Sequence, residues 1–187
     1  MNLALTEASI SDEPVLANLL NLYLHDFSEV FGDPPGPDGR FVYERLPQYF
    51  SEPDRTPFLI RSDERLAGFA LVSLGSLITG LRNTRDLSEF FVVRGLRGRG
   101  IGRAAASEVF KRFAGVWEVR ALDQNPGAVE FWTNAIANHT GHAFTVEPWV
   151  SEPDLTWKVF RFAQSEAPVF EGGSSATPSA SGESGGD

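Results

Sequence analysis

A cluster of glycines and arginines between residues 94 and 103 has the residue types best suited to bind a phosphorylated ligand. The segment Arg94-Gly-Leu-Arg97-Gly98-Arg99-Gly100-Ile101-Gly102-Arg103 directly follows the apolar run Phe90-Phe-Val-Val93. Glycines let backbone amides approach a ligand closely, and amides at a helix N-terminus favour negative charge. Four arginines fall here in a chain whose formal net charge is -9. This contrast between local and overall charge predicts a polyphosphate ligand at the loop.

The strand before this loop contains one acid that could act as a general base, Glu89. A carboxylate inside an apolar strand has a perturbed pKa and can take a proton from a reacting group. Side chains alternate along a strand, so the opposite register would turn Ser88 and Asp86 toward the same site. The sequence leaves both registers open.

Residues 94–103 are called the glycine loop below. To bind a phosphate, this loop must follow the end of a strand and lead directly into a helix. The apolar patterning predicts that strand over residues 87–93 and that helix over residues 100–114. The remaining predicted strands span residues 3–8, 57–61, 66–74, 116–122, 143–150 and 155–162, and the remaining helices span residues 11–31, 43–50 and 126–138. The order predicts an α/β fold, a mixed sheet of about seven strands with helices on both faces.

Two motifs resemble signatures of the GNAT superfamily of N-acetyltransferases. The segment from Arg97 to Gly102 matches the acetyl-CoA-binding pattern Arg/Gln-x-x-Gly-x-Gly/Ala. The segment Asn125-Pro-Gly-Ala128-Val-Glu-Phe131-Trp132 resembles the later motif Asn-x-x-Ala-x-x-Phe/Leu-Tyr. The order of elements agrees over residues 3–163. The resemblance implies a GNAT-like central mixed sheet and an N-acetyltransferase that uses acetyl-CoA as cosubstrate, with no metal.

The resemblance also implies which residues contact the cosubstrate. They are Phe91, Val92, Val93, Arg97, Gly98, Arg99, Gly100, Ile101, Gly102, Arg103, Asn125, Ala128, Phe131 and Trp132. The loop amides and guanidinium groups would hold the pyrophosphate, and Asn125 would bond the pantetheine arm. A backbone amide near Val92 or Val93 would stabilise the oxyanion that forms at the thioester.

For the acceptor, the resemblance implies a small-molecule or peptide amine in a pocket shaped by the first two helices. Tyr23, His25 and Asp26 are the implied substrate contacts, and Glu89 is the implied catalytic base. Relatives carry a bulge in the strand of Glu89, which makes its side-chain direction hard to predict. Trp132 stands where relatives often have a tyrosine that protonates the leaving thiolate. An indole N–H donates a hydrogen bond but cannot deliver a proton at physiological pH.

Composition narrows the class of protein further. The 187-residue chain suits one acetyltransferase domain over residues 1–165 and a disordered Gly/Ser-rich tail over residues 166–187. It has no cysteine and a sequence pI of about 4.8, which disfavours nucleic acid as a partner. The sequence contains neither a membrane-spanning stretch nor a signal-peptide pattern, so we expect a cytoplasmic protein without a membrane partner. A monomer or a homodimer is expected.

Two alternative functions use the same residues. Gly100-x-Gly102-x-x-Ala105 also fits a dinucleotide-binding fingerprint, with Glu118 as the later acid. The upstream sequence lacks the repeated βαβ units of that fold. A second alternative is a non-catalytic sensor with the GNAT-like fold that binds acyl-CoA. Trp132 favours it, because it replaces the tyrosine that protonates the thiolate in relatives.

Overall fold

The computed structural model describes residues 2–152 and 155–165, and a seven-stranded mixed sheet lies at its centre. The strands are β1 (Leu3–Glu7), β2 (Arg55–Ser62), β3 (Arg65–Leu74), β4 (Thr84–Val92), β5 (Gly115–Leu122), β6 (Thr145–Glu152) and β7 (Leu155–Gln164). Their order in the sheet is β1-β2-β3-β4-β5-β7-β6, and β4 with β5 is the one parallel pair among the described strands. The predicted mixed sheet is confirmed. The predicted tail over residues 166–187 lies outside the described residues.

Helices cover both faces of the sheet, as the sequence predicts. They are α1 (Glu13–Phe31), α2 (Gln48–Ser51), α3 (Ile101–Lys111) and α4 (Pro126–Thr140). The period of two along β3 divides the core: Phe69 and Leu71 pack toward α1 and α2, whereas Ala70 and Val72 pack toward α3 and α4. Helices therefore pack against both faces of the sheet and hold the residues of β3 and its neighbours in place.

The first two helices differ from their predicted boundaries. Ser11, the first residue of the helix predicted over residues 11–31, lies in a 3-10 turn (Ile10–Asp12), and α1 begins after Asp12. The helix predicted over residues 43–50 is reduced to the four residues of α2, preceded by turns. Pro47 explains the difference because its ring cannot donate to the carbonyl of Tyr43 and clashes with it.

A β-bulge in β4 decides which side chains of that strand reach the same face. Leu71 of β3 pairs with Glu89, but the next residue, Val72, pairs with Leu87, so Ser88 is the inserted residue. The insertion shifts the alternation by one residue. Ser88 and Glu89 consequently both lie on the face that α1 and α2 cover, where Tyr23 of α1 donates to Glu89 and the Ser88 hydroxyl bonds that of Ser73 in β3. The sequence leaves open whether Glu89 or Ser88 faces the site, and because of the bulge both of them do.

The parallel pairing of β4 with β5 stops halfway along both strands. It joins Thr84–Leu87 to Val116–Val119, and the strands separate beyond it. Arg120, the first residue of β5 past the pairing, makes a bidentate ion pair with Asp86 at 2.7 and 3.1 Å. This ion pair bridges the two strands at the base of the gap. Burial raises the pKa of Asp86, against the lowering effect of the Arg120 charge.

Removing Arg120 is expected to destabilise the fold. Asp86 is buried and Arg120 is largely shielded from solvent, with side-chain exposures of 4% and 11%, respectively. The Arg120→Ala variant leaves the Asp86 carboxyl buried without its partner, which costs about 3 kcal/mol and lowers Tm by about 6–12 °C. Thermal unfolding followed by circular dichroism measures this.

The exposed ion pair of Lys158 with Asp123 provides the matched control for that measurement. Its atoms are 3.5 Å apart and both side chains are more than one-third exposed. Lys158→Ala should therefore cost less than about 1 kcal/mol. Equal melting temperatures for the two variants would contradict the structural role of Arg120.

Candidate active site

The gap between β4 and β5 opens into a cleft of about 1560 Å³ that runs across the sheet. Its walls come from α1, from the bulged half of β4, from the end of β5 and from the start of α4. The loop before α3 and a group of tyrosines around Glu89 also line the cleft. Because α1 and α4 lie on opposite faces of the sheet, the cleft is lined from both faces.

The glycine loop has the geometry of an anion site. Gly98 and Gly100 have φ angles of 74° and 81°, a left-handed backbone conformation that residues other than glycine rarely adopt. Gly100 is the N-cap of α3, so the first N–H groups of that helix have no partner within the helix and face its N-terminal side. Gly102 packs against Phe131, where an added Cβ would lie 3.1 Å from the ring.

The loop arginines are unequally placed. Arg97 donates through Nε to the Val92 carbonyl at 2.8 Å and through a terminal nitrogen to Asp26 at 2.9 Å. Arg94 donates to the other oxygen of Asp26 at 2.9 Å. Arg103 lines the cleft, whereas Arg99 is exposed outside the cleft lining.

Asp26, predicted to contact substrate, therefore ties α1 to the glycine loop. Burial raises the pKa of this carboxyl, but the hydrogen bonds from Arg94 and Arg97 outweigh that effect and lower it overall. Asp26 still lines the cleft. Ile101, predicted beside the cosubstrate, has its side chain in the hydrophobic core.

The backbone of β4 distinguishes the two candidate oxyanion donors. Val93 N–H donates to Ala67 O at 2.9 Å, so this amide belongs to the sheet and is not available. Successive N–H groups of a strand point to opposite sides, and Val92 N–H thus points toward β5. Strand pairing with β5 has already ended there, at Leu87. Of the two predicted amides, only that of Val92 faces the gap.

The far wall of the cleft is the beginning of α4. Asn125 caps this helix, because its Oδ1 accepts the Ala128 N–H at 3.1 Å. Its amide group still carries two N–H donors for a ligand. Trp132 is 6% exposed and packs at 5.1 Å from the Phe90 ring. Ala128, Phe131 and Trp132 all line the cleft, and Trp132 is also part of the core.

Glu89 also lines the cleft and accepts hydrogen bonds from two tyrosines. Tyr23 donates to one carboxylate oxygen, and Tyr43 donates to the other at 3.1 Å. Within the described part of the chain, no lysine or arginine is close enough to form an ion pair with Glu89. Burial raises the pKa of Glu89, although the two hydroxyl donors act in the opposite direction.

The tyrosine group is larger than the sequence indicates. Tyr43 and Tyr49 are not among the predicted contacts, yet both line the cleft with Tyr23. The Tyr49 hydroxyl is buried and has no hydrogen-bond partner among the described residues. Burial and the nearby charge of Glu89 raise the pKa of Tyr23 and Tyr43, so both remain protonated donors. The one signal in the sequence is that all three tyrosines of the chain precede residue 50.

His25, the remaining predicted substrate contact, does not line the cleft. It is exposed on α1, and its ring lies edge-on to Phe41 at 6.0 Å. The helical periodicity explains this, because Tyr23 and Asp26 are three residues apart on one side of α1 and His25 lies off that side.

The family model described as the Acetyltransferase (GNAT) family matches residues 16–135, which include β4, the glycine loop and most of α4. The chain belongs to the GNAT acetyltransferase family. This confirms the resemblance carried by the two sequence motifs. No curated protein matches the chain significantly.

Solved structures of GNAT proteins share the fold at low sequence identity. An acetyltransferase from Thermus thermophilus is 20% identical, with a TM-score of 0.63 over 88% of this chain and 98% of that one. A proposed acetyltransferase from Salmonella typhimurium, solved with its cofactor acetyl-CoA, is 18% identical, with a TM-score of 0.60 over 89% and 96% of the two chains. An Arabidopsis thaliana protein in complex with a bisubstrate analogue is 15% identical, with a TM-score of 0.58 over 87% and 98%.

The observed fold differs from the usual architecture of dinucleotide-binding proteins and excludes that alternative. That architecture needs successive parallel βαβ units, whereas β4, α3 and β5 form the one parallel unit of the described sheet. Within the described residues, no group of three or more His, Cys, Asp or Glu side chains could hold a metal ion. No helix of that same part of the chain is long and apolar enough to cross a membrane.

Proposed function

We propose that this GNAT protein transfers an acetyl group from acetyl-CoA to a primary amine by direct attack in a ternary complex, with Glu89 as the base. One observation carries the proposal. A half-buried carboxylate that forms no ion pair with any described residue lies in the same cleft as a glycine loop with anion-binding geometry. An acetyl thioester with a pyrophosphate fits one half of this cleft, and an ammonium ion fits the other.

In the proposed reaction, the Glu89 carboxylate takes a proton from the bound ammonium ion. The freed amine nitrogen forms a bond to the thioester carbonyl carbon, and Val92 N–H donates to the oxyanion that develops. The bond between that carbon and sulfur then breaks. The nitrogen gives up its second proton to the thiolate, directly or through water, which yields the acetamide and the free thiol. Glu89 returns its proton to solvent.

The residues of the glycine loop fit the other half of acetyl-CoA. The amides of Gly98 to Arg103, with Arg97 and Arg103, supply donors for a pyrophosphate. The Salmonella relative was solved with acetyl-CoA, which supports the same cosubstrate here. An amine acceptor, a cytoplasmic location and the absence of nucleic-acid or membrane partners belong to the same proposal.

The pH dependence of kcat/KM tests the role of Glu89. The carboxylate is the active form, and burial raises its pKa. Activity is therefore expected to fall as pH decreases through a value above the ordinary glutamate range, and to be retained on its alkaline side. Initial rates of thiol release between pH 5 and 9 at subsaturating amine measure this. The descending acid limb should be missing in Glu89→Gln, and its persistence there would assign the titration to another group.

A non-catalytic acyl-CoA sensor is the second candidate, because Trp132 cannot supply the proton that a tyrosine would. Thiol release distinguishes the two functions. Acetyl-CoA that binds but is not consumed with any primary amine would favour the sensor. In the proposed mechanism the second proton of the amine replaces the tyrosine proton, so Trp132 does not prevent turnover.

A further inference from the structure

A side pocket of about 450 Å³ adjoins the main cleft between α1 and the segment that follows it. Four residues line both spaces: Tyr23, Phe27, Glu89 and Trp157. The side pocket therefore meets the main cleft at the Glu89 carboxylate. A molecule that enters the side pocket reaches Glu89 without crossing the glycine loop.

Five aromatic side chains line the side pocket. Phe27 and Phe31 are stacked, with ring centroids 5.7 Å apart and planes 13° from parallel. Phe41 lines the same pocket, and Trp157 lies half-buried where the pocket joins the cleft. Phe31 and Val42 are 41% and 71% exposed, respectively, although both line the pocket. A planar apolar group would remove these surfaces from water.

The charged groups of the side pocket suit one positive charge. Its wall includes two acids, Asp33 and Glu89, and one base, Arg40. Of the two acids, Asp33 is exposed and Glu89 is half-buried. An acceptor with several ammonium groups would find in the side pocket one half-buried carboxylate, Glu89, and one exposed carboxylate, Asp33, beside Arg40. A sugar-like body would bury hydroxyl groups against aromatic rings without hydrogen-bond partners.

We infer that the acceptor is a monocationic primary amine with an aromatic body, of the arylalkylamine class. The ring occupies the side pocket between Phe27, Phe31 and Trp157, and the short alkyl chain delivers the nitrogen to Glu89. Phe31 and Trp157 thus determine acceptor specificity. This inference rests on the proposed acetyl transfer, because it names the substrate of that reaction.

The test compares amines that differ in the aromatic body or in charge. Thiol release from acetyl-CoA is measured with 2-phenylethylamine, ethylamine and spermidine as acceptors. The kcat/KM for 2-phenylethylamine is expected to exceed that for ethylamine by roughly 30-fold, from burial of one phenyl ring. Spermidine is expected to fall near ethylamine.

Two variants in α1 test whether the preference for the aromatic amine arises in the side pocket. Phe31→Ala should lower the ratio of kcat/KM for 2-phenylethylamine to that for ethylamine by roughly 10-fold. Leu22→Ala is the matched control, since Leu22 is 50% exposed on α1 and lines neither space. Because Phe31 is 41% exposed, its replacement should leave the fold intact.

The outcomes separate this inference from the proposed function. Turnover of ethylamine or spermidine without preference for the aromatic amine would overturn the acceptor class and leave acetyl transfer standing. An unchanged amine ratio in Phe31→Ala would remove the side pocket as the acceptor site. Binding of acetyl-CoA without turnover of any amine would overturn both. A preference for 2-phenylethylamine that Phe31→Ala abolishes and Leu22→Ala preserves supports the inference.

Discussion

Replacing Glu89 by glutamine is expected to lower kcat/KM for the amine by roughly 100- to 10,000-fold, the usual contribution of a positioned base. Glutamine keeps the size of the side chain and can still accept a hydrogen bond from Tyr23 or Tyr43, but it cannot take the ammonium proton. The affinity for acetyl-CoA should be unchanged, because the Glu89 carboxylate bonds Tyr23 and Tyr43 and no described residue of the glycine loop. Initial rates and a calorimetric titration measure the two quantities.

The same substitution should not destabilise the protein. Burial raises the pKa of Glu89 in the folded state, so the folded protein holds this proton more tightly than the unfolded chain. Its contribution to stability is present at low pH and is lost as pH rises through the raised pKa. At neutral pH the buried carboxylate therefore costs stability. Glu89→Gln is expected to melt at the wild-type temperature or above it.

Glu44→Gln is the matched control for Glu89→Gln. Glu44 follows Tyr43 in sequence, is exposed and lines neither space. Its replacement should leave kcat/KM and Tm unchanged. Near wild-type turnover in Glu89→Gln would show that another group takes the proton. A lowered Tm in Glu89→Gln would show that loss of packing explains the loss of activity.

Replacing Gly100 by aspartate is expected to weaken acetyl-CoA binding by at least roughly 100-fold. The substitution places a carboxylate at the N-cap of α3, where the pyrophosphate would lie. Two like charges about 4 Å apart near a protein surface repel by roughly 4 kcal/mol. The φ of 81° adds strain that glycine does not have. Calorimetric titration with acetyl-CoA measures the loss.

Two further variants separate charge from strain. Gly100→Ala carries the backbone strain without the charge, and it should bind acetyl-CoA more tightly than Gly100→Asp does. Gly95→Asp adds the same charge in the same loop, at a glycine that has an ordinary φ and lies outside the cleft lining. It should bind acetyl-CoA nearly as the wild type does. Equal losses in Gly95→Asp and Gly100→Asp would mean that general repulsion, and not the α3 N-terminus, sets the affinity.

The features that the sequence predicted correctly are local ones. The order of strands and helices follows from apolar periodicity, and the glycine loop between β4 and α3 follows from residue types that are consecutive in the chain. Its left-handed glycines are a property of the loop alone. Pro47 is also a local feature of the sequence, but the helix around it is shorter than the apolar periodicity predicted.

The surroundings of Glu89 could not be read from the sequence, because they depend on distant contacts. Tyr23 and Tyr43 are 66 and 46 residues away along the chain from the carboxylate that they contact. The bulge at Ser88 depends on how β4 pairs with β3, and it places Ser88 and Glu89 on one face where strict alternation would separate them. Asp26 likewise met the loop arginines only through the packing of α1.

The central claim is that the cleft between the glycine loop and Glu89 holds acetyl-CoA for transfer to an amine. Calorimetric titration of the wild-type protein with acetyl-CoA, with NAD as the control, tests it most directly. We expect roughly micromolar binding of acetyl-CoA, no comparable binding of NAD, and release of the free thiol when a primary amine is then added. Failure to bind acetyl-CoA, or preferential binding of NAD, would rule out this cleft as an acetyl-CoA site.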